Sequence, residues 1–226
     1  MSNQLVSVIM SVYNNEDTVE NAIESVLNQS YKNIELIITD DNSSDNSLSI
    51  IKNYLNQKTI KLIENKENIG LTKSLNLMIE ASKGKLIARQ DADDISLEKR
   101  IEVQVGQINK LNLDFVSSRA KNLQTNKNIP NISYNLPYKF LIKHKNPFIH
   151  GTLVIKKDVL LQLGNYDERF KYAQDYKLMI DAIDKNYKFK VLRKPLYLLN
   201  TKNNISNQYK DEQEFFANCA RNRIDP

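Results

Sequence analysis

KLIARQDADD, residues Lys85–Asp94, ends an apolar run with three carboxylates, Asp91, Asp93 and Asp94. Like charges this close repel, and the cost rises with burial. The turn is therefore either a solvated helix cap or a place where positive charge gathers. On the first reading, Asp93 or Asp94 caps a helix starting near Ser96. On the second, a divalent cation held by Asp93 bridges phosphate oxygens of a ligand, and oxygen ligands suit Mg2+ or Mn2+.

Working outward, the pattern alternates. Val6–Val12 reads as a buried strand, and residues 18–28 carry Val19, Ala22, Ile23, Val26 and Leu27 at helical spacing. Residues 34–39 read as a second strand. DDNSSDNS then opens a helix through Leu48, Ile51 and Leu55. A short strand at 60–63, a helix at 71–81 stopped by Gly84, a strand at 85–88 and a helix at 96–111 follow. Such β-α alternation predicts a mostly parallel central sheet flanked by helices, a Rossmann-like α/β domain. Ligands of such sheets bind beyond the carboxyl ends of the strands. Ser11, Tyr13 and Asn14, then Asp40 and Asp41, then Asp91–Asp94 all fall at those ends. Beyond residue 112 the pattern loosens into strand-like FVSS and TLVI and a helix near 157–163, with no linker. One continuous domain, 1–226, is expected.

Composition narrows the function classes. The one cysteine, Cys219, excludes an intrachain disulfide and suits a reducing compartment. The N-terminus lacks the basic region of a signal peptide, and no apolar run is long enough to span a bilayer. A cytoplasmic protein is expected. The net charge of +5 comes mostly from scattered lysines, and no helix-turn-helix or RNA-binding signature accompanies it, so no nucleic-acid partner is expected. The basic, aromatic stretch 138–148 reads either as a solvated loop around a core Phe or as a face toward an anionic acceptor or membrane surface. The five glycines form neither GxGxxG nor a P-loop, which argues against dinucleotide enzymes and P-loop NTPases. In DDNSSDNS, Asn46 and Lys52 stand where a calcium loop needs Gly and Glu, leaving an Asx-turn and helix cap as the other reading there.

The chain resembles the family 2 glycosyltransferases of GT-A fold over nearly its whole length. VSVIMSVYNNEDTVENAIESVLNQSYKNIELIITDDNSSDNS, NIGLTKSLNLMIEASKGKLIARQDADD, HGTLVIKKDVLLQLGNYDERF and QDYKLMIDA carry the resemblance, in that order. A DxD alone would be weak; four ordered blocks are specific. The resemblance implies that Ser11 and Tyr13 line the base, Tyr13 by stacking, and that Asp41 accepts a hydrogen bond from uracil or ribose. It implies Asp91 on ribose and Asp93 on the divalent cation. Asn68 and Gly70 would shape the loop near the nucleotide, and Lys73 would lie toward the sugar-phosphate. His150 would lie near the diphosphate or acceptor, and Asp175, in the Gln174-Asp175 block, would be the catalytic base. Around Leu198–Asn207 the chain lacks the family's Arg and His, which puts phosphate or metal support from that segment in question.

The activity so implied is metal-assisted, inverting transfer of a hexosyl or N-acetylhexosaminyl group from a nucleotide diphosphate, with a UDP-sugar favoured. The acceptor would be a hydroxyl of a glycan, glycolipid or lipid-linked acceptor, with peripheral membrane contact a further expectation. Residues 1–111 would bind the nucleotide sugar and 112–226 the acceptor. The other reading is a non-catalytic nucleotide-sugar or glycan-binding module on the same fold. Retention of Asp93 and Asp175 speaks against it.

Overall fold

Alternating burial builds the first strand: Val6, Val8, Met10 and Val12 of β1 (Val6–Val12) enter one core, while Ile9 enters the other. The computed structural model describes residues 3–130, 136–202 and 209–226. Along the chain follow α1 (Val19–Leu27), β2 (Ile34–Asp40), α2 (Ser47–Lys52), β3 (Ile60–Glu64), α3 (Leu71–Ala81) and β4 (Leu86–Arg89). Then come β5 (Ile95–Ser96), α4 (Arg100–Leu111), β6 (Phe115–Asn122), β7 (Asn128–Ile129) and α5 (Tyr138–Leu141). A 3-10 turn (His150–Thr152), β8 (Val154–Lys156), α6 (Lys157–Leu163), α7 (Gln174–Asp184), β9 (Phe189–Leu199) and α8 (Lys210–Asn222) complete the described order.

The strands form one nine-stranded sheet in the order β3-β2-β1-β4-β8-β6-β9-β5, with β7 added beside β6. Pairing is parallel across β3-β2-β1-β4 and between β6 and β9; β8 runs antiparallel between β4 and β6. Sequence order reverses between β1 and β4, which opens a crevice at their carboxyl ends. Apolar residues of α1 and α4 fill one face of the sheet; α3, α6, α7 and the end of α8 fill the other. The mostly parallel, helix-flanked sheet is the predicted one.

The elements depart from the sequence reading at identifiable places. The helix expected through Leu55 ends at Lys52, and Leu55 is exposed. Gly84 does not terminate α3, which closes at Ala81 with the Ser82 hydroxyl donating to the Ile79 carbonyl at 2.6 Å. Gly84 instead lies against β1: a Cβ there would stand 2.6 Å from the Ser7 nitrogen and 2.8 Å from the Leu5 carbonyl oxygen. The helix expected from Ser96 begins at Arg100, because Ile95 and Ser96 pair with Leu198 and Tyr197 of β9. β9 itself escaped the reading, since Arg193, Lys194 and Pro195 interrupt its apolar pattern.

Candidate active site

Two loops meet beyond β1 and β2. Asn14, at φ 52°, receives Ser43 Oγ as acceptor for its own N–H at 3.1 Å, and its side-chain oxygen accepts the Ser44 N–H at 2.8 Å. This tie leaves Tyr13 half exposed at the strand end, with Ser11 partly buried behind it. Asp41 is buried, and its two oxygens accept the Asn65 side-chain amide at 2.8 Å and the N–H groups of Ile69 at 3.0 Å and Gly70 at 2.8 Å. Three of its roughly four acceptor positions are thereby used within the chain. The carboxylate fixes the loop carrying exposed Asn68 and brings it into Gly70, whose φ of 87° suits glycine, just before α3. Lys73, on the first turn of α3, points to solvent.

The acidic turn after β4 resolves the charge problem with the chain's own arginine. Arg89 is 2% exposed and donates from Nη1 to the carbonyls of Ile9 at 3.0 Å and Gln90 at 2.7 Å, and from Nη2 to Asp91. Asp94 is equally buried and accepts the Asn200 N–H at 2.6 Å. Burial, with Asp91 and Asp93 beside it, pushes Asp94 up to about 9, so it holds a proton at neutral pH. Asp93 is left: among the described residues no other residue hydrogen-bonds its side chain. Burial and then Asp91 push it up to about 6. Neither Asp93 nor Asp94 caps α4, whose N-cap is Lys99. The turn rests on a buried frame in which Gln90 Nε2 donates to the Asp94 carbonyl at 2.9 Å, Arg100 donates to Gln90 Oε1 at 3.1 Å, and the Asp91 N–H donates to Tyr197 Oη at 3.0 Å.

A cation at Asp93 fits this donor chemistry. One uncommitted carboxylate lies beside a second acid, and burial and that acid raise its pKa more than the Arg89 charge lowers it. No group of three or more His, Cys, Asp or Glu among the described residues forms a closed cage. That is the arrangement in which Mg2+ or Mn2+ takes one or two protein carboxylates and completes its shell from phosphates and water.

The His150-Gly151-Thr152 turn packs directly on the acidic turn. A Cβ at Gly151 would stand 2.6 Å from Asp91 Oδ2 and 2.5 Å from Tyr197 Oη, so only glycine lets these segments approach. His150 Nε2 bonds Tyr166 Oη at 2.7 Å, and burial, then the Arg89 charge, holds the imidazole well below its usual pKa and therefore neutral. Asp175 lies in the first turn of α7 and accepts the Asn146 side-chain amide at 2.7 Å. Burial pushes it up to about 6, against the pull of its own and the Tyr176 N–H groups; Asp91 adds to the rise and Arg89 opposes it. Arg89 and Asp91 thus sit electrically between the acidic turn, His150 and Asp175.

Arg89 pairs with Asp91, and its charge acts on Asp93, His150 and Asp175; Ser11, Tyr13 and Asp41 lie at the neighbouring strand ends and Gly70 just before α3. Asn68 and Lys73 stay exposed on the loop and helix that follow β3. Sequence reasoning missed Arg89, Asn146, Tyr166 and Tyr197. A charged residue closing an otherwise apolar strand was the available signal for Arg89; the other three carry none.

An α/β domain with its acidic site at the switch point of the sheet is the class these features define. Residues 7–164 match the model of glycosyl transferase family 2, and the chain belongs to that family. WfgD of Escherichia coli, a UDP-Glc:alpha-D-GlcNAc-diphosphoundecaprenol beta-1,3-glucosyltransferase, is 30% identical over 188 residues, covering 82% of this chain and 72% of that protein. Among solved structures, S. aureus TarS 1–349 in complex with UDP-GlcNAc has a TM-score of 0.78 at 20% identity, over 91% of this chain and 61% of that one. The mannosyltransferase PcManGT from Pyrobaculum calidifontis, in complex with GDP-Man and Mn2+, has a TM-score of 0.68 at 19% identity, over 86% of this chain and 56% of that one. This chain therefore spans about three fifths of the length of those structures. The fold is GT-A-like.

Proposed function

We propose that this family 2 glycosyltransferase moves a hexosyl or N-acetylhexosaminyl group from a UDP-sugar to a hydroxyl of a glycan or lipid-linked acceptor, with inversion. The observation that carries the reading is Asp175, a carboxylate near pKa 6 that shares the electrostatic surroundings of Arg89 and Asp91. A base poised just below neutral pH is ionised in use and still accepts a proton. WfgD's UDP-Glc donor and lipid diphosphate acceptor, and the UDP-GlcNAc bound to TarS, support the donor and acceptor classes.

In this reading Tyr13 stacks on the base while Asp41, with one acceptor position to spare, receives the uracil imino N–H. Asp91, held by Arg89, meets the ribose. Asp93 would hold Mg2+ or Mn2+, which when bound supplies positive charge to the diphosphate; the Mn2+ of PcManGT supports this assignment. Asp175 takes the proton of the acceptor hydroxyl as its oxygen attacks the anomeric carbon. The bond from that carbon to the diphosphate oxygen breaks on the opposite face, and its electron pair leaves with UDP. Neutral His150, fixed by Tyr166, presents its other ring nitrogen toward the diphosphate or acceptor. Residues 1–111 serve the donor and 112–226 the acceptor. Incubating the protein with a panel of nucleotide sugars and Mn2+, read by mass spectrometry, tests it. Turnover of a UDP-sugar is expected; turnover of none, or of GDP-sugars alone, overturns the assignment.

A further inference from the structure

Between Asp114 and Asp158 the sequence contains no acidic residue and eight lysines and arginines, more positive charge than the whole chain's net +5. The structure concentrates part of that charge on one protrusion. Around α5, Leu141 and Ile142 turn inward at 6% and 5% exposure, while Leu136 and Phe140 stand 47% and 57% exposed. Lys139, Lys143 and Lys145 are exposed on the same short segment, and among the described residues none of the three has an ion-pair partner. Arg221, which holds the His144 carbonyl, pairs with Glu214, and Asp184 pairs with Arg223.

The protrusion is held firmly. The Tyr176 hydroxyl donates to the Ile142 carbonyl at 2.6 Å, and Arg221 of α8 donates to the His144 carbonyl at 2.7 Å. The same segment continues into Asn146, which bonds Asp175. An exposed Phe and Leu beside three unpaired lysines contribute nothing to the core. They match the interfacial region of an anionic bilayer, which takes apolar side chains below the headgroups and ammonium groups among them.

We propose that residues 136–145 form a peripheral docking surface for anionic phospholipid bilayers, with Leu136 and Phe140 inserted and Lys139, Lys143 and Lys145 on the headgroups. Docked in this way, the segment carrying Asn146 holds the Asp175 end of the site close to the lipid surface, within reach of a lipid-linked hydroxyl. The docking surface stands on this geometry alone; only its use in catalysis rests on the proposed transfer reaction.

Co-sedimentation of the whole chain with vesicles of phosphatidylcholine, with and without phosphatidylglycerol, tests the surface without any sugar nucleotide. Binding is expected only with phosphatidylglycerol, and it weakens as salt rises. Each lysine contributes about fivefold in affinity, so a Lys139→Gln, Lys143→Gln, Lys145→Gln variant loses on the order of 100-fold. Phe140→Ser reduces binding at fixed charge, and circular dichroism shows both variants folded, since all four side chains lie outside the core. Three results overturn the proposal: absence of vesicle binding, equal binding to pure phosphatidylcholine, or unchanged binding by the triple variant. Salt-dependent binding to duplex DNA with no binding to vesicles also overturns it. Failure of sugar transfer alongside normal vesicle binding counts against the proposed function only.

Discussion

Three aspartates in one turn take three different states, and their neighbours decide which. Asp91 pairs with Arg89, Asp94 is protonated and tied to Asn200, and Asp93 keeps an uncommitted carboxylate. Asp175 is a fourth case, buried enough to rise to about 6 yet hydrogen-bonded in its charged form by Asn146. Asp175→Asn keeps shape and most packing but removes the proposed base, so transfer is expected to fall about 100-fold or more while UDP binding, measured by calorimetry, persists. In the wild-type protein, transfer rises with pH through about 6 as Asp175 ionises. The stability effect has the opposite sign. A carboxyl whose folded pKa exceeds its unfolded value binds more protons in the folded state, so its contribution declines as pH rises from about 4 toward 6. Urea titrations at several pH values therefore show a shallower decline over that window for Asp175→Asn than for wild type. Near-normal transfer by the variant moves the base elsewhere.

At the scale of elements, two glycines permit contacts that no pattern of hydrophobicity announces. Gly84 lets the turn before β4 touch β1, its N–H donating to Ser7 Oγ at 2.8 Å, so that β1 and β4 pair in register up to Ile9 and Arg89. Gly84→Ala places a methyl against backbone atoms of Leu5 and Ser7 that cannot swing away. The expected cost is about 1–3 kcal/mol, seen as a lower thermal midpoint with unchanged donor specificity. A midpoint equal to wild type shows that the turn gives way. Gly151 does the same between the His150 turn and Asp91. The short β5 has a related logic: Ile95 and Ser96 pair with β9, and that pairing carries Tyr197 to the Asp91 N–H.

Across the whole molecule, the proposed reaction draws its donor side from the regular β-α half and its base from the irregular half, and it needs both at one rim. Because Asp93 is uncommitted and its carboxyl is raised by burial and by Asp91, UDP binding is expected to tighten at least tenfold with Mn2+, an increment of about 1.4 kcal/mol. The same calorimetry with Asp93→Ala should show no Mn2+ effect, and equal wild-type affinity in chelator refutes the cation site. No described helix is long and apolar enough to cross a membrane.

What the sequence by itself determined is the part governed by local periodicity and short spacing. Apart from β5, the strands and helices of 1–111, the parallel order of those strands, and the placement of Tyr13, Asp41 and Asp91–Asp94 at strand ends follow from neighbours within a few residues. Asp175 is visible only through the motif resemblance, because its helix says nothing of what it faces. The tertiary structure alone decided the rest. It showed β9 as a strand, since its place between β6 and β5 is made by those partners and not by its own mixed pattern. It also fixed the charge of each acid, since protonation depends on burial and on groups brought from afar: Arg89 from a core strand, Tyr197 and Asn200 from the far end of the sheet, and Asn146 from the loop before β8. Ionisation is a property of surroundings, and surroundings exist only once the chain has folded.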